Sequence, residues 1–199
     1  MTTLSQSAPA DGRVAADPEI AALPIDAELV AATLAGDGRA FDQLVRMHSS
    51  RIFNYIHHMT RQMQDAEDLT QQTFIKAYRA LDRFDTSRSL IAWLLTIARR
   101  TALNHFRDSR HFEEFSDETA DIADSPARDA EQSDRVENLW NEARRLLPQK
   151  QYEVLWLRFG EDLSVDETAR VLGLTQTHVK ILAFRARHRL ARLKNREAS

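Results

Sequence analysis

The segment from Leu163 to Leu190, LSVDETARVLGLTQTHVKILAFRARHRL, constrains the fold more than any other part of this chain. Ser164 is a good N-cap with Glu167 three residues on, so a helix is predicted to start there. It should end near Leu172, where Gly173 can take the left-handed turn. Thr175 then caps a second helix, and Leu163, Ala169, Leu172, Leu174, Val179 and Ala183 form one apolar seam across both. Two short helices sharing a seam across a tight turn make a helix-turn-helix. From Thr175 to Arg196 the chain carries Lys180, Arg185, Arg187, Arg189, Arg192, Lys194 and Arg196 and no carboxylate, within a protein of formal net charge -3. A solvated basic helix would carry the same charges. The capped turn favours DNA instead, with the second helix entering the major groove.

A length of 199 residues leaves room for one or two small domains. Five Gly and five Pro are too few for a turn-rich all-β fold, and apolar periodicity is helical almost throughout. The expected fold is therefore all-α, as two small helical domains joined by a flexible acidic linker. The absence of cysteine excludes disulfides, thiolate metal sites and cysteine nucleophiles, and is compatible with a reducing, cytoplasmic setting. Residues 1–24 are small and polar, lack a signal peptide's basic and apolar regions, and are expected to be a disordered tail. The apolar run Leu90 to Ala98 stops at Arg99 and Arg100, too short to cross a bilayer, so no membrane insertion is expected.

The first domain is placed at residues 25–111. Helices are predicted from Ile25 to about Leu34 and, after Gly36-Asp37-Gly38, from Arg39 to around Met59, with Leu44, Val45, Ile52, Phe53 and Ile56 inward. His48, His57 and His58 invite a metal reading. It fails because adjacent histidines point apart on a helix and no carboxylate is placed to complete a site, so neither metal nor cofactor is expected. The next helix, Asp65 to Asp82, has Ala66, Leu69, Thr73, Ala77, Ala80 and Leu81 as its core stripe. Its other face bears Asp68, Gln71, Ile75, Arg79 and Asp82, flanked by Gln72 and Tyr78. An isoleucine ringed by amides and charges fits either a protein-binding surface or scattered apolar exposure.

A polar connection, Phe84 to Ser89, leads into a helix from Leu90 to about Arg110 that is apolar at first and basic later. Arg99, Arg100, Asn104 and Arg107, with Trp93, are the mixture that phosphates and unstacked bases require, although a solvated face is an alternative. Residues 112–134 are rich in Asp and Glu, carry Pro126 and have too few apolar residues for a core, hence the linker. The second domain, 135–199, should hold helices from Arg135 to Leu147 and from Gln149 to Phe159, stopped by Gly160, before the helix-turn-helix.

Three blocks in this order, DAEDLTQQTFIKAYRAL from Asp65, RSLIAWLLTIARRTALNHFR from Arg88 and LPQKQYEVLWLRFGEDLSVDETARVLGLTQTHVK from Leu147, resemble bacterial RNA polymerase sigma factors. The likeness is to the extracytoplasmic-function group, which keeps only the second and fourth conserved regions. The resemblance implies that Asp68, Gln71, Gln72 and Ile75 dock on the β′ clamp helices of core polymerase, with the β flap as a further contact. Many relatives have Glu where this chain has Gln72. It implies that the loop Asp85, Thr86, Ser87, Arg88 captures a flipped base of the minus-ten element, while Trp93, Arg99, Arg100, Asn104 and Arg107 hold the opened strand. Thr177, His178, Lys180, Ile181, Phe184 and Arg185 would read the minus-thirty-five element of promoter DNA. Relatives often have a hydroxyl and a cation where this chain has Ile181 and Leu182, so fewer phosphate contacts are expected, and these aliphatics face either DNA or protein. The linker would pass through the polymerase cleft, and an anti-sigma factor is a further implied partner.

A promoter-specificity factor of this kind catalyses nothing and needs no small-molecule substrate. The competing function is a free-standing helix-turn-helix regulator that binds its site without polymerase. An enzyme is disfavoured, because no Gly-rich phosphate loop, nucleophile elbow or metal spacing accompanies the polar residues.

Overall fold

The computed structural model describes residues 18–113 and 131–197 of the chain, with side chains placed over 25–108 and 138–192. Most of the expected tail and of the acidic linker, residues 1–17 and 114–130, lies outside the described residues. Everything regular in the described part is helical. The helices are α1 (Pro18–Leu34), α2 (Gly38–Thr60), α3 (Met63–Ala80), α4 (Leu90–Glu113), α5 (Glu131–Leu146), α6 (Gln149–Leu155), α7 (Val165–Leu172) and α8 (Gln176–Glu197).

Local chemistry sets most boundaries. Asp37 caps α2 by accepting from the Arg39 amide at 2.9 Å, and Arg61 ends it in the left-handed conformation, its N–H donated to the His57 carbonyl. The Ser164 hydroxyl accepts from the Glu167 amide while the Glu167 carboxylate accepts from the Ser164 amide, closing a capping box on α7. Gly173, at φ 66°, terminates that helix, a conformation that a Cβ would strain. Thr175 Oγ1 accepts from the His178 amide at 3.2 Å and so starts α8 as predicted. Ser164→Ala removes one of these partners and should cost about 1 kcal/mol of stability. A thermal melt of the variant would check this, and an unaltered midpoint would show the cap to be dispensable.

Several helix ends differ from those expected. The expected tail, small and polar in composition, ends at Pro24, and proline normally breaks a helix interior because it removes a donor. Yet α1 runs through Pro24 and begins at Pro18, a residue well suited to a first helical turn. Helix α4 extends to Glu113 and α5 starts at Glu131, so both ends of the expected linker belong to helices. The single helix expected over Gln149–Phe159 instead changes pitch. After Leu155 the chain widens into a π-turn, Trp156–Gly160, in which the Glu161 amide donates to the Trp156 carbonyl at 2.9 Å. A Cβ on Gly160 would sit 3.2 Å from the Trp156 ring, so glycine lets the backbone pass over the indole.

One bundle, α1 to α4, buries Val30, Leu44, Ile52, Ile56, Leu69, Phe74, Leu81 and Leu95. Along α3 the expected stripe is inward, joined by Phe74 and Thr70; Ala80 is only half-buried. The other bundle, α5 to α8, buries Ala143, Val154, Leu157, Leu163, Ala169, Val179, Leu182 and Ala186. Helix α4 packs against α7, so the two bundles share one continuous apolar core.

Candidate nucleic-acid interface

Helix α8 presents Thr177, His178, Lys180, Ile181, Phe184 and Arg185 to solvent and turns Val179, Leu182 and Ala186 inward. Phe184 is 70% exposed, with its ring stacked on His188 at 6.1 Å. An aromatic that open on a basic helix offers an apolar surface next to guanidiniums, the combination that contacts thymine methyls and phosphates. Leu182 is corrected from possible surface to core. Only Ile181 of that pair takes the outward place of a polar group. Asp166 of α7 ties the reader in position: its carboxylate pairs with Arg170 and accepts from Gln176 Nε2 at 2.9 Å. Those hydrogen bonds, Arg170's first, hold its carboxyl below the usual carboxylate range.

The loop before α4 is organised by one carboxylate. Asp85 accepts from the Ser87 hydroxyl at 2.6 Å, the Ser87 amide at 3.1 Å and Arg88 Nε at 2.9 Å. The Ser87 bonds, more than Arg88, pull its pKa down. Thr86 and Ser87 are left exposed at the tip. Trp93 is not free to stack on a base with its whole face, because it is half-buried against Phe84, ring centroids 5.1 Å apart. Phe84 was missed by the sequence reading, although an aromatic nine residues before Trp93 at a helix entrance was a visible signal.

The basic run on α4 divides. Arg100, Asn104 and Arg107 are exposed, Arg107 beside Asp108 in a pair too open to hold it. Arg99 is turned away: its Nη2 lies 3.5 Å from Glu153 Oε2 in α6, with its side chain 20% exposed. Arg99 therefore does not share a surface with the other members of the expected set. On α3, Asp68, Gln71, Gln72 and Ile75 all face outward on one side, Ile75 at 51% exposure.

A junction between the bundles, absent from the sequence reading, explains where Arg99 goes. Arg51 donates from Nε to Glu161 Oε2 at 2.9 Å and from Nη2 to the Glu161 carbonyl at 2.6 Å, while Glu161 Oε1 accepts from Trp156 Nε1 at 3.2 Å. His58 lies against Trp156, centroids 3.6 Å apart, with Nδ1 3.2 Å from the Tyr152 hydroxyl. Burial, then the charge of Arg144, then His57, drive its pKa down to about 3, so the ring is neutral. The other histidines are engaged as well. His57 stacks on Phe53, and His48 meets a carboxylate not foreseen from the sequence, Asp26 of α1, at 2.9 Å.

Two family models match the chain: sigma-70 region 2 over residues 44–112 and sigma-70 region 4 over residues 145–192. The ECF RNA polymerase sigma factor BldN of Streptomyces coelicolor is 40% identical over 173 residues, covering 83% of this chain and 64% of BldN. The chain thus spans less than two thirds of that relative. It spans 90% of the RNA polymerase sigma-H factor of Pseudomonas aeruginosa, 34% identical over 81% of this chain. Among solved structures, CnrH in complex with the cytosolic domain of CnrY superposes with a TM-score of 0.61 at 28% identity, over 86% of this chain and 97% of that one. The sigma factor RpoE in complex with the anti-sigma factor NepR from Bartonella quintana gives 0.64 at 26% identity, over 78% and 96%. The chain belongs to the sigma-70 family, in its extracytoplasmic-function group.

Proposed function

We propose that this chain joins core RNA polymerase through the α3 face of Asp68, Gln71, Gln72 and Ile75, and positions it at a promoter from two separated surfaces. Arg185, Lys180, Phe184 and Ile181 of α8, with Thr177 and His178, read the minus-thirty-five element. The loop Asp85–Arg88 with Trp93, Arg100, Asn104 and Arg107 takes the minus-ten strand, joined by Arg99 once its contact with Glu153 opens. The functional units are residues 25–111 and 135–199, and the acidic stretch between them threads the polymerase cleft in the cytoplasm. An anti-sigma factor is the natural antagonist, since the sigma factor RpoE is solved with the anti-sigma factor NepR. The chain itself performs no catalysis.

The observation that carries this reading is the α3 face: a half-exposed isoleucine among amides and a carboxylate, on the outside of the region 2 match. A free-standing regulator would have no use for it. The test adds the purified chain to core polymerase and maps transcription starts. Gln71→Ala combined with Ile75→Glu should leave the melting temperature unchanged and reduce co-purification with core at least tenfold, about 1.4 kcal/mol. Undiminished co-purification would remove the docking face from the account. Arg185→Ala should cost about 1 kcal/mol of base discrimination at one minus-thirty-five position, the low end for an arginine–guanine pair, because nothing among the described residues fixes its guanidinium beforehand. An unchanged base preference would show that Arg185 does not read sequence.

A further inference from the structure

A cavity of about 370 Å³ opens where the C-terminal end of α2 meets α5 and α6. Its wall holds two guanidiniums, Arg61 and Arg144, that form no ion pair or side-chain hydrogen bond among the described residues. Arg144 is half-buried, 5.9 Å from the Tyr152 ring centroid, and burial together with the charge of Arg61 pulls its pKa down. Like charges gathered in a partly dry cleft are unfavourable unless an anion joins them. The single carboxylate on the wall, Glu153, does not serve: it reaches to Arg99 and burial raises its pKa.

The rest of the wall suits the body of a ligand rather than a bare ion. Trp156, Tyr152 and the neutral His58 supply aromatic surface. Tyr55 is 1% exposed, its hydroxyl buried beside the Arg99 guanidinium. Arg61 stands at φ 63°, where glycine or asparagine would be easier, which brings a cation to the rim at the helix end.

We propose that this inter-bundle cavity binds a small anionic ligand with a planar ring, its phosphate or carboxylate held between Arg61 and Arg144 and its ring against the Trp156–Tyr152 wall. A volume of 370 Å³ suits such a molecule and is far larger than an inorganic ion needs. Guanidiniums take phosphate and carboxylate in the same forked geometry, so the charge alone does not name the source. Because Arg61 caps the end of α2 and Arg144 lies on α5, an occupant would bridge the two bundles.

The full chain is titrated calorimetrically with adenosine 5′-monophosphate and, separately, with benzoate, using adenosine and inorganic phosphate as controls. Saturable one-to-one binding of either anionic ring supports the site, and the tighter of the two identifies phosphate or carboxylate as the source. Arg61→Asn, which suits the left-handed backbone, and Arg144→Gln, which relieves a repulsion, should each melt no lower than the parent and weaken binding at least tenfold. Absence of saturable binding by both anionic probes overturns the proposal. So does unchanged affinity in both variants, or binding of inorganic phosphate or adenosine as tight as that of the anionic ring.

Discussion

Glu161→Ala is expected to lower the free energy of unfolding by about 2–3 kcal/mol and to let the α1–α4 and α5–α8 bundles separate. The Glu161 side chain is 4% exposed, and one oxygen meets Arg51 while the other meets the indole N–H of Trp156. Truncation leaves a buried N–H unpaired, worth about 1–3 kcal/mol, and removes the counter-charge of Arg51. Breaking a fully buried pair costs about 3–5 kcal/mol, but the Arg51 side chain is 40% exposed and water screens part of that loss. The expected figure therefore lies below the fully buried range. Glu161→Gln keeps an acceptor for Trp156 and should lose only about 1 kcal/mol. Urea unfolding reads the stability, and small-angle scattering reads the separation as a larger radius of gyration. Freed from Glu153, Arg99 should also raise affinity for single-stranded minus-ten DNA at fixed salt. A variant with the parent's urea midpoint and scattering curve would show that this contact does not hold the bundles together.

What was legible from the residues follows the range of the interactions involved. The cap at Ser164 and Glu167, the turn at Gly173 and the second cap at Thr175 are hydrogen bonds between near neighbours, so each was readable from spacing alone. The α3 face was equally plain, because Asp68, Gln71, Gln72 and Ile75 recur at helical spacing on the side opposite the buried stripe. Leu182 was ambiguous for a definable reason. The seam was drawn from Val179 to Ala183 at a spacing of four, whereas the burial follows Val179, Leu182 and Ala186, one residue around the helix. Arg99 was grouped with Arg100 on charge, but its partner is 54 residues away, and the partner of Arg51 is 110 away. No periodicity announces such pairs. The cavity at the junction is hidden for the same reason, since Arg61 and Arg144 are surface-like residues until two bundles bring them together.

Acidification from pH 7 to pH 5 is expected to remove about 2 kcal/mol of stability through His58 alone. The folded chain holds this imidazole at a pKa of about 3, whereas the unfolded chain has it at the ordinary value of 6.5. Between those values the unfolded state binds the proton and the folded state does not. The stabilisation is therefore complete above pH 6.5 and declines by about 1.4 kcal/mol for each unit below it. Glu153 works in the opposite sense. Burial raises its folded pKa, so folding takes up a proton as the pH falls through that raised value, which moderates the loss at the acid end. The charge of Arg144 repels an imidazolium, so it offers protonated His58 no relief. His58→Phe keeps a ring against Trp156 and has nothing to titrate, although the Tyr152 hydroxyl loses its neighbour. Its stability should be lower than the parent's at pH 7 and nearly level with it at pH 5, measured by urea unfolding at each pH. Parallel curves for the two proteins across that interval would mean that His58 takes up its proton as readily folded as unfolded, and that the junction is not the dry contact its burial describes.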